Sequence, residues 1–359
     1  MKTRNTVANL GEYVPGKKRA GTVKLSSNEN PLGPAPRALE AISTWAGELN
    51  VYPDGFATEL RDALALRAGV EREHVIVGNG SDEVLVMLAA TFLNPGEHAV
   101  IPEHTFSQYE FATRLYDGVP AYAPMHDGRI QLDAIRKLID ADTRLVFVCN
   151  PNNPTGTYIP ADELAAFARE VPDDVLLIVD EAYCEFADAH DFPDAVALTR
   201  ERENIIVLRT FSKLYGLASL RVGYGIAAES VIASMHKVKP PFNTGLLAQK
   251  AATAALSDEE FVEKTLSNNR EQRAVLRETL DRLGMPQYPS QANFICADCG
   301  RDAQGFAAEL ADEGVSVRPL SSFGLPTRVR ISVGTPQQNR MLAEALERVH
   351  SRQATSGTS

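Results

Sequence analysis

The sequence predicts an α/β protein: a large domain with a mostly parallel sheet sandwiched by helices, plus a smaller α+β domain. Three observations carry this. Short, wholly apolar runs such as Ile205-Ile-Val-Leu208 recur along the chain, and strands with no polar face are covered by helices on both sides. Stretches of helical period alternate with these runs as far as residue 208, the pattern of βαβ units and a parallel sheet. After Gly225 the texture changes to helices and one long charged stretch, then short apolar segments of a second unit. The expected division is an arm at 1–35, a large domain at 36–257, a small domain at 258–350 that includes the arm, and a disordered polar tail at 351–359.

Each element has a local reason. The arm is rich in Gly, Pro, Asn and Lys, and Leu25-Ser-Ser-Asn-Glu-Asn-Pro-Leu-Gly-Pro34 is turn chemistry throughout. So long an irregular segment reads as a strap with a function. Helices are expected at 36–49 and 58–67, parted by the turn Tyr52-Pro-Asp-Gly55. A strand at 75–77 runs into Gly78-Asn-Gly-Ser-Asp-Glu83 and a helix to 93, capped by Ser81 or Asp82. Strands follow at 99–101, 121–124, 145–149, 175–179 and 205–208, with helices at 106–116, 132–139 and 161–170. A further apolar segment carries Gly223 and Gly225. Beyond it the pattern gives helices at 231–238 and 245–256 and a long charged helix at 259–283 that bridges the domains. Strands at 292–296, 315–317 and 328–333, with helices at 303–312 and 336–349, complete the small domain.

Composition narrows the function. A chain of 359 residues with 44% hydrophobic and 23% charged residues is an ordinary globular protein with a large core. A net charge of −11 counts against nucleic acid and anionic membranes as partners, since both need a basic face. The longest apolar runs are far too short to cross a bilayer, and residues 1–10 lack the apolar centre of a signal peptide. The cysteines, Cys149, Cys184, Cys296 and Cys299, make neither a disulfide scaffold nor a complete metal set. A cytoplasmic protein without a metal is expected.

The chemistry gathers at strand ends, where open α/β sheets keep their ligands. After the strand at 205–208 come Thr210, Ser212 and Lys213, with Arg221 eight residues on. A poorly hydrated lysine has a lowered pKa and suits carbonyl–amine chemistry, while hydroxyls and an arginine suit a phosphate monoester. Together they suggest pyridoxal phosphate, an aldehyde that carries a phosphate. Gly78-Asn-Gly-Ser-Asp82 opens a helix after a strand and could cradle that phosphate, although Glu83 spoils a dinucleotide fingerprint and so counts against a dehydrogenase. Asn150-Pro-Asn-Asn-Pro-Thr-Gly156 is a rigid loop in which Asn153 is the candidate ligand. Asp180 ends a buried strand, where a carboxylate needs a partner such as a protonated pyridine nitrogen, and Tyr183 follows it.

These segments, with Arg328-Val-Arg-Ile-Ser-Val-Gly334, make the chain resemble the fold-type I pyridoxal-phosphate aminotransferases. Within that group it resembles the histidinol-phosphate aminotransferases and the related aromatic amino acid aminotransferases. The resemblance implies that Lys213 bonds pyridoxal 5'-phosphate and carries the substrate proton, and that Asp180 pairs with the pyridine nitrogen. It implies that Asn153 and Tyr183 bond the ring's phenolic oxygen and that Phe106, where many relatives have tyrosine, stacks on the ring. Ser81, Asp82, Thr210, Ser212 and Arg221 would hold the phosphate. Tyr52 would reach that phosphate from a neighbouring subunit, which implies a homodimer. Arg330 would grip the substrate's anionic group, and Arg318 and Tyr13 would add contacts when that group is a phosphate. The implied reaction passes nitrogen between a small-molecule amino donor and a keto acceptor: histidinol phosphate and 2-oxoglutarate give imidazole-acetol phosphate and glutamate, in histidine biosynthesis. Phenylalanine or tyrosine transamination is the alternative, and decarboxylation of an amino-acid phosphate a more remote one.

Overall fold

The computed structural model describes residues 1–8, 10, 11 and 21–356, so Tyr13 lies outside the described residues. The main sheet has seven strands, in the spatial order Val75–Gly78, Gly223–Ala227, Ile205–Thr210, Leu176–Asp180, Thr143–Cys149, His98–Pro102 and Val119–Ala123. All run parallel except Gly223–Ala227, which is antiparallel to both of its neighbours. The apolar runs explain why the sheet is covered on both faces. Along Leu176–Asp180, Leu177 and Val179 join one apolar cluster while Leu176 and Ile178 join another. At roughly 2 kcal/mol for each large side chain removed from water, two such faces hold the sheet as a central layer.

Register then collects the strand ends. Cys149 lies opposite Asp180, and Asp180 opposite Leu208. Gly223 opens the antiparallel strand beside both Thr210 and Gly78. The segments after Gly78, Pro102, Cys149, Asp180 and Thr210 therefore leave the sheet at one edge.

The smaller sheet runs Phe294–Asp298, Arg328–Ser332, Arg318–Pro319, all antiparallel. It has its own apolar cluster, including Ile295, Phe306, Val329, Ile331 and Leu346. The strap packs on this unit: Val23–Lys24 pairs in parallel with Val315–Ser316 as a separate two-stranded sheet, and Leu25 is buried in the same cluster. The helix Glu259–Arg282 links the two units, with Phe261 in the main core and Leu276 and Leu280 in the smaller one.

Several expectations change. The helix after Gly78 is Ser81–Phe92, its N-cap is Gly80, and no side chain caps it. Neither Ser81 nor Asp82 is the cap, because Gly80 takes φ +81°, a value glycine reaches without strain. The last helix runs from Pro336 to Ser356, so most of the segment expected as a disordered tail is helical. A short helix, Ala195–Glu201, adds to the expected elements. Asp194 caps it by accepting from the Ala197 N–H, a signal visible in the sequence. Among the described residues no helix is long and apolar enough to cross a membrane.

Candidate active site

A cavity of about 830 Å³ opens between the strand-end edge of the main sheet and the smaller sheet. Every residue expected at a site lines it, except Tyr52 and the undescribed Tyr13. Tyr52 is 80% exposed and stacks on Phe242, ring centroids 4.8 Å apart, away from the cavity.

One part of the cavity is built for an anion. Ser81 and Asp82 stand in the first turn of Ser81–Phe92, where unpaired backbone N–H groups and the helix dipole favour negative charge. Ser81 lines the cavity directly at this helix start. The Thr210 hydroxyl donates to the Ser212 hydroxyl at 3.0 Å and accepts the Ser212 N–H at 3.1 Å. Arg221 has φ +52°, rare for a residue with a Cβ. That turn aims its guanidinium at the Asp82 carboxylate (3.1 Å), the Ala218 carbonyl (3.1 Å) and the Ser212 hydroxyl (3.4 Å). Asp82 thus orients the arginine, while burial raises its own pKa against the pull of Arg221 and Lys213. The close fit needs glycine: a Cβ at Gly80 would strike the Arg221 guanidinium, and one at Gly223 would strike the Ser81 backbone.

Asp180 lies deeper, 2% exposed. The Tyr109 hydroxyl donates to its Oδ2 at 2.7 Å, and the Ala182 N–H donates to its Oδ1 at 3.1 Å. Burial outweighs those bonds and pushes the carboxyl up to about 6. Sequence reasoning misses Tyr109. It is fully buried, stacked on Phe147 at 4.7 Å, with Phe106 edge-on at 5.7 Å. Helical period marks it for the core, and no local signal marks its hydroxyl.

Lys213 faces the same space. Among the described residues its amine has no hydrogen-bond or ion-pair partner, only the Tyr183 ring with the nitrogen 5.6 Å from the centroid. Burial first, then the charge of Arg330, lowers its pKa to about 8. The Tyr183 hydroxyl accepts from Asn28 Nδ2 at 3.0 Å, and burial raises its pKa to about 12. Asn28 is also missed by sequence reasoning. It takes φ +55° in the strap, donates its N–H to the Ser332 hydroxyl and accepts from it at Oδ1, joining strap, small sheet and Tyr183. The Arg330 guanidinium donates to Asn153 Oδ1 and, at 3.1 Å, to the Ser26 carbonyl. Arg318 lies opposite Arg330 in the small sheet and, among the described residues, its side chain makes no hydrogen bond or ion pair.

This arrangement can take a phosphorylated aldehyde and an anionic co-substrate. The family model described as aminotransferase class I and II matches residues 20–346.

The chain belongs to the class I and II aminotransferases.

It is 43% identical to a histidinol-phosphate aminotransferase of Moorella thermoacetica, over 97% of this chain and 93% of that protein. It is 41% identical to the histidinol-phosphate aminotransferase of Halalkalibacterium halodurans, over 99% of both. The solved histidinol-phosphate aminotransferase of Sinorhizobium meliloti, in complex with pyridoxal 5'-phosphate, superposes with a TM-score of 0.90 at 28% identity, over 98% of each chain. This aminotransferase is a pyridoxal-phosphate enzyme of the same fold. Its residues fit that cofactor: an unpaired amine, a buried carboxylate in want of a cation, and a cluster of hydroxyls, arginine and helix N–H groups for a phosphate. Among the described residues no group of His, Cys, Asp and Glu is placed to hold a metal ion.

Proposed function

We propose that this aminotransferase converts histidinol phosphate and 2-oxoglutarate to imidazole-acetol phosphate and glutamate, in histidine biosynthesis. The observation that carries it is the pairing of two arginines, Arg330 and Arg318, on adjacent strands facing the cavity. A carboxylate needs one such arginine, and a dianionic phosphate ester is better served by two. The names of the relatives point the same way. Bound pyridoxal phosphate supplies the aldehyde that takes the amino group and the ring that stabilises negative charge on the neighbouring carbon.

The chain's own residues would do the rest. Ser81, Thr210, Ser212, Arg221 and the first-turn N–H groups of Ser81 and Asp82 would hold the phosphate. Phe106 would cover the ring, and Asn153 and Tyr183 would bond its phenolic oxygen. Asp180, oriented by Tyr109, would keep the ring nitrogen protonated by charge pairing. Lys213 would bond the aldehyde between turnovers, and its freed amine would carry the proton from the amino-bearing carbon of the substrate to the former aldehyde carbon on the other side of the nitrogen, two bonds away. Arg330 would bind the carboxylate of glutamate and the phosphate of histidinol phosphate in turn.

The direct test compares kcat/KM for histidinol phosphate and phenylalanine. Histidinol phosphate is expected to be favoured by about 100-fold or more, since the single charge of phenylalanine's carboxylate would leave Arg318 without a partner while a dianionic phosphate engages both arginines. A preference for phenylalanine would establish the aromatic aminotransferase reading instead, and release of carbon dioxide without a keto product the decarboxylase reading. Replacement of Arg318 by alanine should lower kcat/KM for histidinol phosphate about 10- to 100-fold, the worth of one charge-assisted contact, and leave phenylalanine nearly unaffected. Equal losses on both substrates would remove Arg318 from phosphate recognition.

The lysine makes a pH prediction. Its neutral form is the nucleophile, and with a pKa of about 8 that form grows with pH up to about 8. The rate at which pyridoxal phosphate recombines with cofactor-free enzyme should rise about tenfold per unit below that point and flatten above it. Stopped-flow absorbance between pH 6 and 9.5 reads this directly, and a flat profile would contradict it.

A homodimer is part of this reading. Exposed Tyr52 and Phe242 stack on each other at the surface, and covering them with a second copy would remove that apolar area from water. Light scattering that gives a monomer mass would reject the dimer. The acidic chain and its biosynthetic chemistry support a cytoplasmic location, which fractionation of the source cells tests.

A further inference from the structure

His104 follows the strand His98–Pro102 and is clamped on two sides. Its carbonyl accepts from Asn152 Nδ2 at 2.9 Å, and Asn152 Oδ1 accepts from the Thr105 hydroxyl at 2.7 Å. Its ring reaches the other way, to the Phe323 carbonyl, with Nδ1 2.7 Å from that oxygen. A carbonyl only accepts, so Nδ1 carries the hydrogen. The partner segment is the turn Ser321–Phe323 of the smaller unit, and Ser322 and Phe323 line the cavity. Gly324, at φ +75°, packs so tightly that a Cβ there would meet the His104 ring at 2.9 Å.

We propose that His104 is a positioning residue that fixes the segment 320–324 over the cavity and so sets the aim of Arg318 and Phe323 on the far end of the substrate.

The segment is held by the small sheet at only one side. Arg318 pairs with Arg330, and the Leu320 N–H bonds the Arg328 carbonyl. Past Leu320 the backbone N–H groups bond within the turn itself, Phe323 and Leu325 to Leu320 and Gly324 to Ser321. Among the described residues the His104 ring makes the hydrogen bond that ties this turn to the main-sheet unit. Asn152 anchors that tie beside Asn153, which itself accepts from Arg330. The loop that holds the cofactor side and the loop that closes the substrate side thus share one support. His104 does not line the cavity, so it acts through the loop rather than on the substrate. A loop left unfixed costs binding energy each time substrate orders it, which appears in KM.

The inference rests on the phosphate-substrate reading above for its choice of substrate, and the test separates the two. Holoenzymes carrying His104→Ala and His104→Asn are compared with the parent on histidinol phosphate and on phenylalanine. Asparagine places an N–H donor close to where Nδ1 sits. His104→Ala should raise KM for histidinol phosphate about tenfold, the value of one lost hydrogen bond, with kcat within about twofold. The cofactor absorbance and melting temperature should stay as in the parent, and His104→Asn should recover most of the KM. An unchanged KM in the alanine variant, or equal loss in both variants, would overturn the role, as would parallel loss of cofactor. If the parent prefers phenylalanine, the substrate reading fails, yet the alanine–asparagine difference on phenylalanine still decides whether His104 sets the loop.

Discussion

Lys213→Ala is expected to abolish turnover, with kcat reduced by about 10⁴-fold or more. A positioned proton carrier is worth roughly 10² to 10⁴, and this residue would also supply the covalent tether. The surroundings make the lysine hard to replace. Its amine sits among buried groups with no polar partner of its own among the described residues, so nothing adjacent can take over the proton. The Arg221 cluster survives the substitution, so the variant should still take up pyridoxal phosphate from excess ligand. It should release it on dialysis, and borohydride should no longer fix it to the protein. Folding should not suffer, because a desolvated amine is removed rather than a packed apolar group. Added small primary amines should restore part of the activity, since the cavity would then have room for them. A variant that kept turning over without such amines, or that borohydride still labelled, would end the assignment of Lys213.

Asp180→Asn should reduce kcat by about 10³-fold, the scale of losing one oriented charge in a water-poor site. The same change should leave the cofactor-free protein at least as stable as the parent at pH 7.5. The sign follows from the pKa, raised from 3.8 to about 6 by burial. The folded state then holds a proton more readily than the unfolded one. At pH above about 6 the charged carboxylate costs on the order of 3 kcal/mol, and the cost fades as pH falls towards 4. An amide lacks that cost, although its unpaired N–H returns part of it. Urea denaturation at pH 7.5 and at pH 4.5 reads the difference: the variant should gain on the parent at the higher pH and not at the lower. With cofactor bound the order should reverse, because the parent's carboxylate then faces a cation. A variant less stable than the parent at pH 7.5 without cofactor would refute this account of Asp180.

Both effects concern residues that the amino-acid sequence alone makes conspicuous. A lysine after Ile205–Leu208 and an aspartate after the strand at 175–179 stand out because apolar runs stop abruptly at them. The same logic finds Ser81, Asn153, Thr210 and Arg221, and the fold brings them all to one cavity. Tyr109 and Asn28 escape it. Tyr109 acts on a carboxylate 71 residues away, across strands that are not neighbours in sequence. Asn28 reaches Tyr183 and Ser332 only because the strap pairs at Val23–Lys24 with Val315–Ser316 of the smaller unit. The helix cap goes the other way: Ser81 has the chemistry of a capping residue, but Gly80 takes that place and leaves the serine facing the cavity.

The layered α/β plan, the run of strands and helices, and the chemical kinds gathered at strand ends can all be read from the order of residues. Period and polarity are local properties, and burial follows them directly. Which groups face one another is settled by the folded arrangement: Tyr109 with Asp180, Asn28 with Tyr183, Asn153 with Arg330, His104 with the Phe323 carbonyl. The order of strands in the sheet and the seating of the smaller unit set those pairs, and a hydrogen bond made over a few ångströms exists only once distant segments have been brought into register.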